Sequence, residues 1–149
     1  MTDMAETSSW NRGGPQPPAQ PTHPPAAPIL PPRVVRSRGE LEKLRDDALA
    51  SQPLDPGDVR MIWVSPDGAA SALEAIIHTT RWLLGEREWA PISREMYAYP
   101  DLPVALIRTH AEDAIFGYKW ADTSEWYAGG VKRTVQWATS ADEERPIFE

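Results

Sequence analysis

The middle of the chain contains its longest periodic apolar segment, and this segment limits the folds that the protein can adopt. Residues 59–65 predict a β-strand, because β-branched and aromatic side chains cover both of its faces. Ser65 and Pro66 follow as a helix start, since serine caps free backbone N–H groups and proline suits the first helical turn. The helix is predicted over residues 66–84 and ends at Gly85, because glycine readily adopts the left-handed conformation that closes helices.

This long helix is predicted to be strongly amphipathic. At about 1.5 Å per residue it spans roughly 28 Å, enough to cross a small domain. A wide apolar stripe of this kind must be buried against other elements. Its members recur at steps of three and four residues: Ala69, Ala70, Leu73, Ile76, Ile77, Thr80, Leu83 and Leu84.

Two further features precede this unit. A first helix is predicted to begin at Ser37, which can form a capping box with Glu40, and to end before Pro53. Residues 1–36 hold nine of the sixteen prolines and little apolar surface, so we expect a disordered arm with polyproline II character. Within the arm, residues 28–33 match a proline pattern bound by aromatic-grooved domains, although the simpler interpretation is a tail that tethers or solubilises.

The second half of the chain predicts strands. We expect them at 92–99, 104–109 and 114–120, with His110 in the loop that joins the last two. A hairpin is then predicted from residue 125 to residue 137, closed by a Gly-Gly loop. In the alternative interpretation, Ser124 caps a helix that runs to about Ser140, but two central glycines would destabilise such a helix by about 2 kcal/mol relative to alanine.

These elements together predict an α+β fold. It consists of a mostly antiparallel sheet of four to five strands, with the long helix packed on one face, and of the disordered proline-rich N-terminal arm. The expected organisation is an arm over residues 1–36, a single domain over residues 37–141 and an acidic C-terminal tail over residues 142–149.

Composition excludes several classes of function. The chain of 149 residues has no cysteine, which rules out disulfides, thiolate metal sites and cysteine nucleophiles, and which fits a cytoplasmic protein. Its apolar runs are far shorter than the ~20 residues of a membrane helix. Arginine outnumbers lysine by twelve to three, a bias typical of a high-GC bacterium or its phage.

Charge argues against nucleic acid as a partner. Residues 1–39 carry four arginines against Asp3 and Glu6, a net charge of +2, so the total of −7 leaves −9 on residues 40–149. An acidic domain repels phosphate backbones. Arg33, Arg36 and Arg38 form a short basic patch without interleaved aromatic residues, which is a weak signal for nucleic-acid binding.

Tryptophan is the most informative residue type. Seven tryptophans exceed what a small two-layer core buries easily, and exposed Trp and Tyr beside Arg are typical of interaction hot spots. The leading hypothesis is therefore a non-enzymatic protein-binding module, such as an inhibitor, an immunity-type protein, or an accessory or phage component. Its predicted contact residues are Trp120, Trp126, Tyr127, Arg133 and Trp137.

The alternative hypothesis is a small enzyme or small-ligand binder. It would use His78, His110 and Asp113, because imidazole and carboxylate groups that meet in a pocket can carry acid–base chemistry. Glu74 lies one helical turn before His78, which is also a common arrangement of solvated surface residues. We expect neither a cofactor nor a metal ion, and no membrane partner.

Overall fold

The computed structural model describes residues 29–52 and 68–147 and forms a helical bundle. These ranges contain no strand, and their only β-type contact is an isolated antiparallel bridge between Trp89 and Met96. The predicted α+β fold with its four- to five-stranded sheet is therefore wrong, since the described part of the chain is all-α. The four helices are α1 (Arg38–Ser51), α2 (Ala69–Leu84), α3 (Val104–Phe116) and α4 (Glu125–Thr139).

Helix α1 confirms the predicted capping box. The Ser37 hydroxyl accepts the Glu40 backbone N–H at 3.1 Å, and the Glu40 carboxylate accepts the Ser37 N–H at 2.9 Å. One face of α1 is buried through Leu41, Leu44 and Ala48. These side chains pack against α2, so α1 covers part of the central helix.

Helix α2 is the central element of the bundle. It packs against both α1 and α4, and eleven of its sixteen residues are buried, so it is covered on most of its circumference. Gly85 ends it in the left-handed conformation (φ 81°), as predicted. The predicted strand 59–65 and the Ser65–Pro66 start lie outside the described residues. None of the described helices has both the length and the apolar content that crossing a membrane requires.

Helix α3 replaces the strands predicted at 104–109 and 114–120. Its buried residues Val104, Ile107, Ala111 and Ala114 are spaced by three, four and three, which is helical periodicity. Gly117 closes the helix in the left-handed conformation (φ 77°). His110 consequently lies within a helix and not in a hairpin loop.

Helix α4 replaces the predicted hairpin. Ser124 caps it by accepting the backbone N–H groups of Trp126 and Tyr127, as the alternative interpretation proposed. The second glycine lies where α4 crosses α2: a Cβ added at Gly130 would lie 2.7 Å from the Ala75 Cβ and 2.8 Å from the Ala72 carbonyl oxygen. A glycine is required there for the two helices to approach closely, and the packing outweighs its low helix propensity.

The segment between α2 and α3 forms turns, so the strand predicted at 92–99 is also wrong. The Ala90 N–H donates to the Glu95 carbonyl at 2.8 Å and the Arg94 N–H to the Ala90 carbonyl at 3.0 Å, which closes a tight loop. Ile92 packs against the core from this loop. The loop therefore reaches back over the bundle instead of extending a sheet.

The two ends of the described chain pack together on the bundle. Leu30 and Val34 contact the core, and the Val35 N–H donates to the Ala138 carbonyl at 2.8 Å. At the other end Ile147 is fully buried, and Arg145 pairs with Asp47 of α1 at 2.7 Å. Residues 29–36 and 140–147 thus belong to the packed unit.

Candidate functional site

A groove lies between α2, the loop after it and the start of α4, and we call it the α2–α4 groove. It has a volume of about 710 Å³ and is open to solvent. It brings together three residues that the sequence singled out, namely His78, Trp120 and Tyr127. The full lining is Ser71, Glu74, His78, Ile92, Ser93, Arg94, Trp120, Asp122, Thr123, Ser124 and Tyr127.

His78 and Tyr127 form a polar pair in this groove. The His78 Nδ1 lies 2.8 Å from the Tyr127 hydroxyl, and the two rings meet edge to face at 5.8 Å. Burial, helped by the charge of Arg87, lowers the pKa of His78, and burial raises the pKa of Tyr127 to about 12. The pair is therefore neutral near pH 7, with Glu74 4.0 Å from the other imidazole nitrogen. It presents hydrogen-bonding groups to the groove without a net charge.

Trp120 and His110 form a second contact at the groove. Their ring centroids are 5.0 Å apart. The Trp120 Nε1 and the His110 Nδ1 are both buried and have no hydrogen-bond partner among the described residues. Buried polar atoms are normally paired, and an unpaired one costs about 1–3 kcal/mol.

The backbone around the groove is strained at three positions. Ile92 (φ 72°), Arg94 (φ 60°) and Trp120 (φ 61°) all adopt the left-handed region without being glycine. A β-branched residue there is an outlier, and each such residue costs about 1–3 kcal/mol. Residues of this kind cluster at binding and catalytic sites, because the surrounding fold holds them in place.

The lining of the groove combines one basic residue with two acidic ones. Arg94 lines it and makes no ion pair within the described ranges, and the charges of Arg81 and Arg87 act on His78 as well. Glu74 and Asp122 are the acidic residues of its lining. An unpaired guanidinium in such a groove is suited to an acidic group on a ligand.

The five predicted protein-binding residues do not share one surface. Trp126 and Arg133 line a separate groove of about 450 Å³ between α3 and α4. Trp137 is buried in the core at 2 % exposure, and the Arg36 guanidinium lies 4.8 Å from its ring centroid. Trp126 and Arg133 do not face each other across a hairpin, because both belong to helix α4. Only Trp120 and Tyr127 lie together in the α2–α4 groove.

The three predicted acid–base residues are divided as well. His110 and Asp113 lie on α3, one helical turn apart, whereas His78 lies on α2 and pairs with Tyr127. Burial lowers the pKa of His110, and the nearby Asp113 carboxylate opposes this only in part. Among the described residues, no group of three or more His, Asp or Glu side chains is arranged to hold a metal ion.

The basic patch before α1 has a structural role. Arg36 donates to the Trp137, Ser140 and Glu143 carbonyls at 2.7–2.9 Å, and Arg38 donates to the Leu84 carbonyl at 3.0 Å. Both arginines therefore satisfy carbonyl groups at helix C-termini, where positive charge is favourable.

Other aromatic residues are more exposed than those that the sequence singled out. Phe116 and Tyr118 are 64 % and 79 % exposed, and their ring centroids lie 6.0 Å apart beyond the end of α3. Sequence reasoning also missed Ile92 and Arg94, because no pattern in the sequence signals their left-handed backbone. The surplus of arginine in residues 81–94 was the one available signal.

Comparisons with protein-family models, with curated proteins and with solved structures found no match to this chain. Function is therefore inferred from the groove and from the residues that line it.

Proposed function

We propose that the chain is a non-enzymatic recognition module that binds an acidic peptide segment of a partner protein in the α2–α4 groove. The observation that carries this proposal is the convergence of Trp120, Tyr127 and His78 with three left-handed backbone positions in one groove. Strained backbone of this kind is retained where a binding surface must be held in shape. A cytoplasmic location, consistent with the absence of cysteine, is part of the proposal.

The shape of the groove favours a peptide over an enclosed small molecule. A groove of about 710 Å³ that is open to solvent can take a chain that enters and leaves. Its walls carry hydroxyl groups of Ser71, Ser93 and Thr123 that can pair with peptide amides, since each hydroxyl both donates and accepts. Trp120 adds an aromatic wall to the groove.

Arg94 indicates the chemistry of the peptide. Arg94 is exposed and without an ion pair inside the described part of the chain, so it can pair with an Asp or Glu side chain. The neutral His78–Tyr127 pair adds hydrogen bonds without competing charge. We expect bound peptides to combine one carboxylate with an apolar residue that packs against Trp120.

A random peptide library displayed on phage tests this proposal with the full-length protein as bait. We expect enrichment of acidic peptides whose affinity, measured by calorimetry, falls about tenfold or more in Arg94→Ala and in Trp120→Ala, equivalent to a loss of about 1.4 kcal/mol or more. Tyr118→Ala is the matched control, because it removes an exposed aromatic ring outside the groove. Selected peptides that bind both groove variants as well as the wild type would refute the proposal, as would the absence of any enrichment.

A further inference from the structure

A second cavity lies at the C-terminal end of α2, and we call it the Trp82 cavity. Its volume of about 310 Å³ is at the lower end of the range for small-molecule pockets. None of its lining residues belongs to the lining of the α2–α4 groove. The lining is Trp82, Gly85, Arg87, Glu88, Met96, Tyr97, Tyr99 and Leu102.

Two residues of this cavity carry buried donors without acceptors. Trp82 is only 1 % exposed, and its Nε1 has no hydrogen-bond partner within the described ranges. The Arg87 Nε is likewise buried and unpartnered there. Indole and guanidinium groups can only donate, so each of the two atoms needs an acceptor that reaches it when the side chains around it shift. Arg87 adds a positive charge, which favours an anionic oxygen over a neutral one.

The walls of the cavity are aromatic and apolar. The Tyr99 hydroxyl donates to the Leu83 carbonyl at 2.8 Å, and the Tyr97 hydroxyl donates to the Glu95 carboxylate. Both hydroxyls therefore have partners already, and the rings are left to offer apolar surface. Met96 and Leu102 complete this surface. Glu88 is exposed, so water screens the repulsion between its carboxylate and a bound anion.

We propose that the Trp82 cavity binds a small aromatic carboxylate. The ring of the ligand packs between Tyr97 and Tyr99, and its carboxylate accepts hydrogen bonds from the Trp82 Nε1–H and from the Arg87 guanidinium. This site is independent of the peptide groove, since the two share no lining residue. It would make the protein a ligand-binding protein in addition to a peptide-binding one.

Titration of the full-length protein with benzoate, benzamide and acetate tests this proposal. Benzoate supplies ring and charge, benzamide supplies the ring alone, and acetate supplies the charge alone. We expect benzoate to shift the Trp82 indole N–H resonance saturably, and benzamide to bind at least about tenfold more weakly. Acetate should produce no saturable shift over the same concentrations. The indole N–H resonance that disappears in Trp82→Phe is assigned to Trp82.

Two arginine variants make the test specific. Arg87→Gln should weaken benzoate binding about tenfold or more and leave benzamide binding unchanged, because only the charged ligand depends on the guanidinium. Arg108→Gln, which removes the same charge from α3, should bind benzoate like the wild type. The proposal is overturned if benzoate does not move the Trp82 resonance, if acetate moves it equally, or if Arg87→Gln retains full benzoate affinity. If Trp82→Phe does not fold, the two arginine variants alone test the proposal, because their benzoate affinity can be measured by calorimetry without an assigned resonance.

Discussion

At the scale of single residues, Arg36 is a largely buried charge beside the C-terminus of α4. Arg36 donates three hydrogen bonds to carbonyls at and beyond the C-terminus of α4 and also stacks on Trp137. Its side chain is only 14 % exposed, so water replaces these bonds poorly. Hydrogen bonds that involve a charged group contribute about 1.5–3 kcal/mol each, more than neutral ones.

We therefore expect Arg36→Gln to lower the free energy of unfolding by about 2 kcal/mol, since glutamine can replace only part of these bonds. Urea denaturation followed by far-UV circular dichroism measures this change. Arg33→Gln is the control: Arg33 is exposed, and its replacement should change stability by less than about 0.5 kcal/mol. Equal losses in the two variants would show that Arg36 acts only through net charge.

At the scale of elements, the crossing of α2 and α4 depends on small residues. Gly130 packs against Ala72 and Ala75, and an added methyl group would overlap both. The side chains further along α4, Val131 and Val135, can reach the core only because the backbones approach closely here.

Gly130→Ala should destabilise the protein by about 1–3 kcal/mol, because the helices must separate to admit the methyl group. Helix propensity alone would predict that Gly130→Ala stabilises the protein, since alanine favours the helix by about 1 kcal/mol relative to glycine. Gly39→Ala in α1 is the matched control: its added Cβ would meet only the Ser37 hydroxyl oxygen, at 3.9 Å, so this variant should be unchanged or slightly stabilised. Thermal melts of the two variants give the comparison, and a stabilised Gly130→Ala would contradict the close crossing.

The four helices show where the sequence was sufficient for prediction and where it was not. α1 and the described part of α2 could be predicted, because Ser37, Glu40 and Gly85 are local signals that act on neighbouring backbone. α3 could not, because short apolar runs such as residues 104–109 match strand alternation and helical spacing equally well. α4 was mispredicted because the use of Gly130 depends on α2, a contact between residues that are distant in sequence.

The candidate site was predictable only in part, for the same reason. His78, Trp120 and Tyr127 attracted attention by residue type, but their grouping in one groove depends on α4 being a helix. The left-handed backbone of Ile92 and Arg94 gave no signal, since this conformation of a branched or charged residue is set by its tertiary surroundings. The sequence therefore indicated which residue types could bind a ligand, but not which of them lie close together in the fold.

At the scale of the whole molecule, two half-buried histidines link stability to pH. Burial is the main reason why the pKa values of His78 and His110 are both lowered. The unfolded chain, with histidine pKa values near 6.5, then binds protons more readily than the folded one. Stability is therefore complete above about pH 7 and falls as the pH drops through about 6.5.

We expect wild-type stability to decrease between about pH 7.5 and pH 5.5, with a slope of at most about 1.4 kcal/mol per pH unit for each histidine. The double variant His78→Gln/His110→Gln should lose most of this slope. Urea unfolding of both proteins across this pH range provides the measurement. An equal dependence of stability on pH in the two proteins would show that His78 and His110 are not its cause. A further loss at more acidic pH is expected from Asp47, whose pKa is raised by burial but lowered overall by hydrogen bonds from Arg145 and Lys43.

The meeting of the two chain ends on the bundle has a consequence for engineering. Val35 and Arg36 bond to the backbone of residues 137–143, so the described chain nearly closes on itself. A truncated chain that starts at Ser37 would lose four hydrogen bonds to the C-terminal end of α4 and the residues after it, one from Val35 and three from Arg36. Fusions intended to preserve the domain should therefore retain residues from 29 onward.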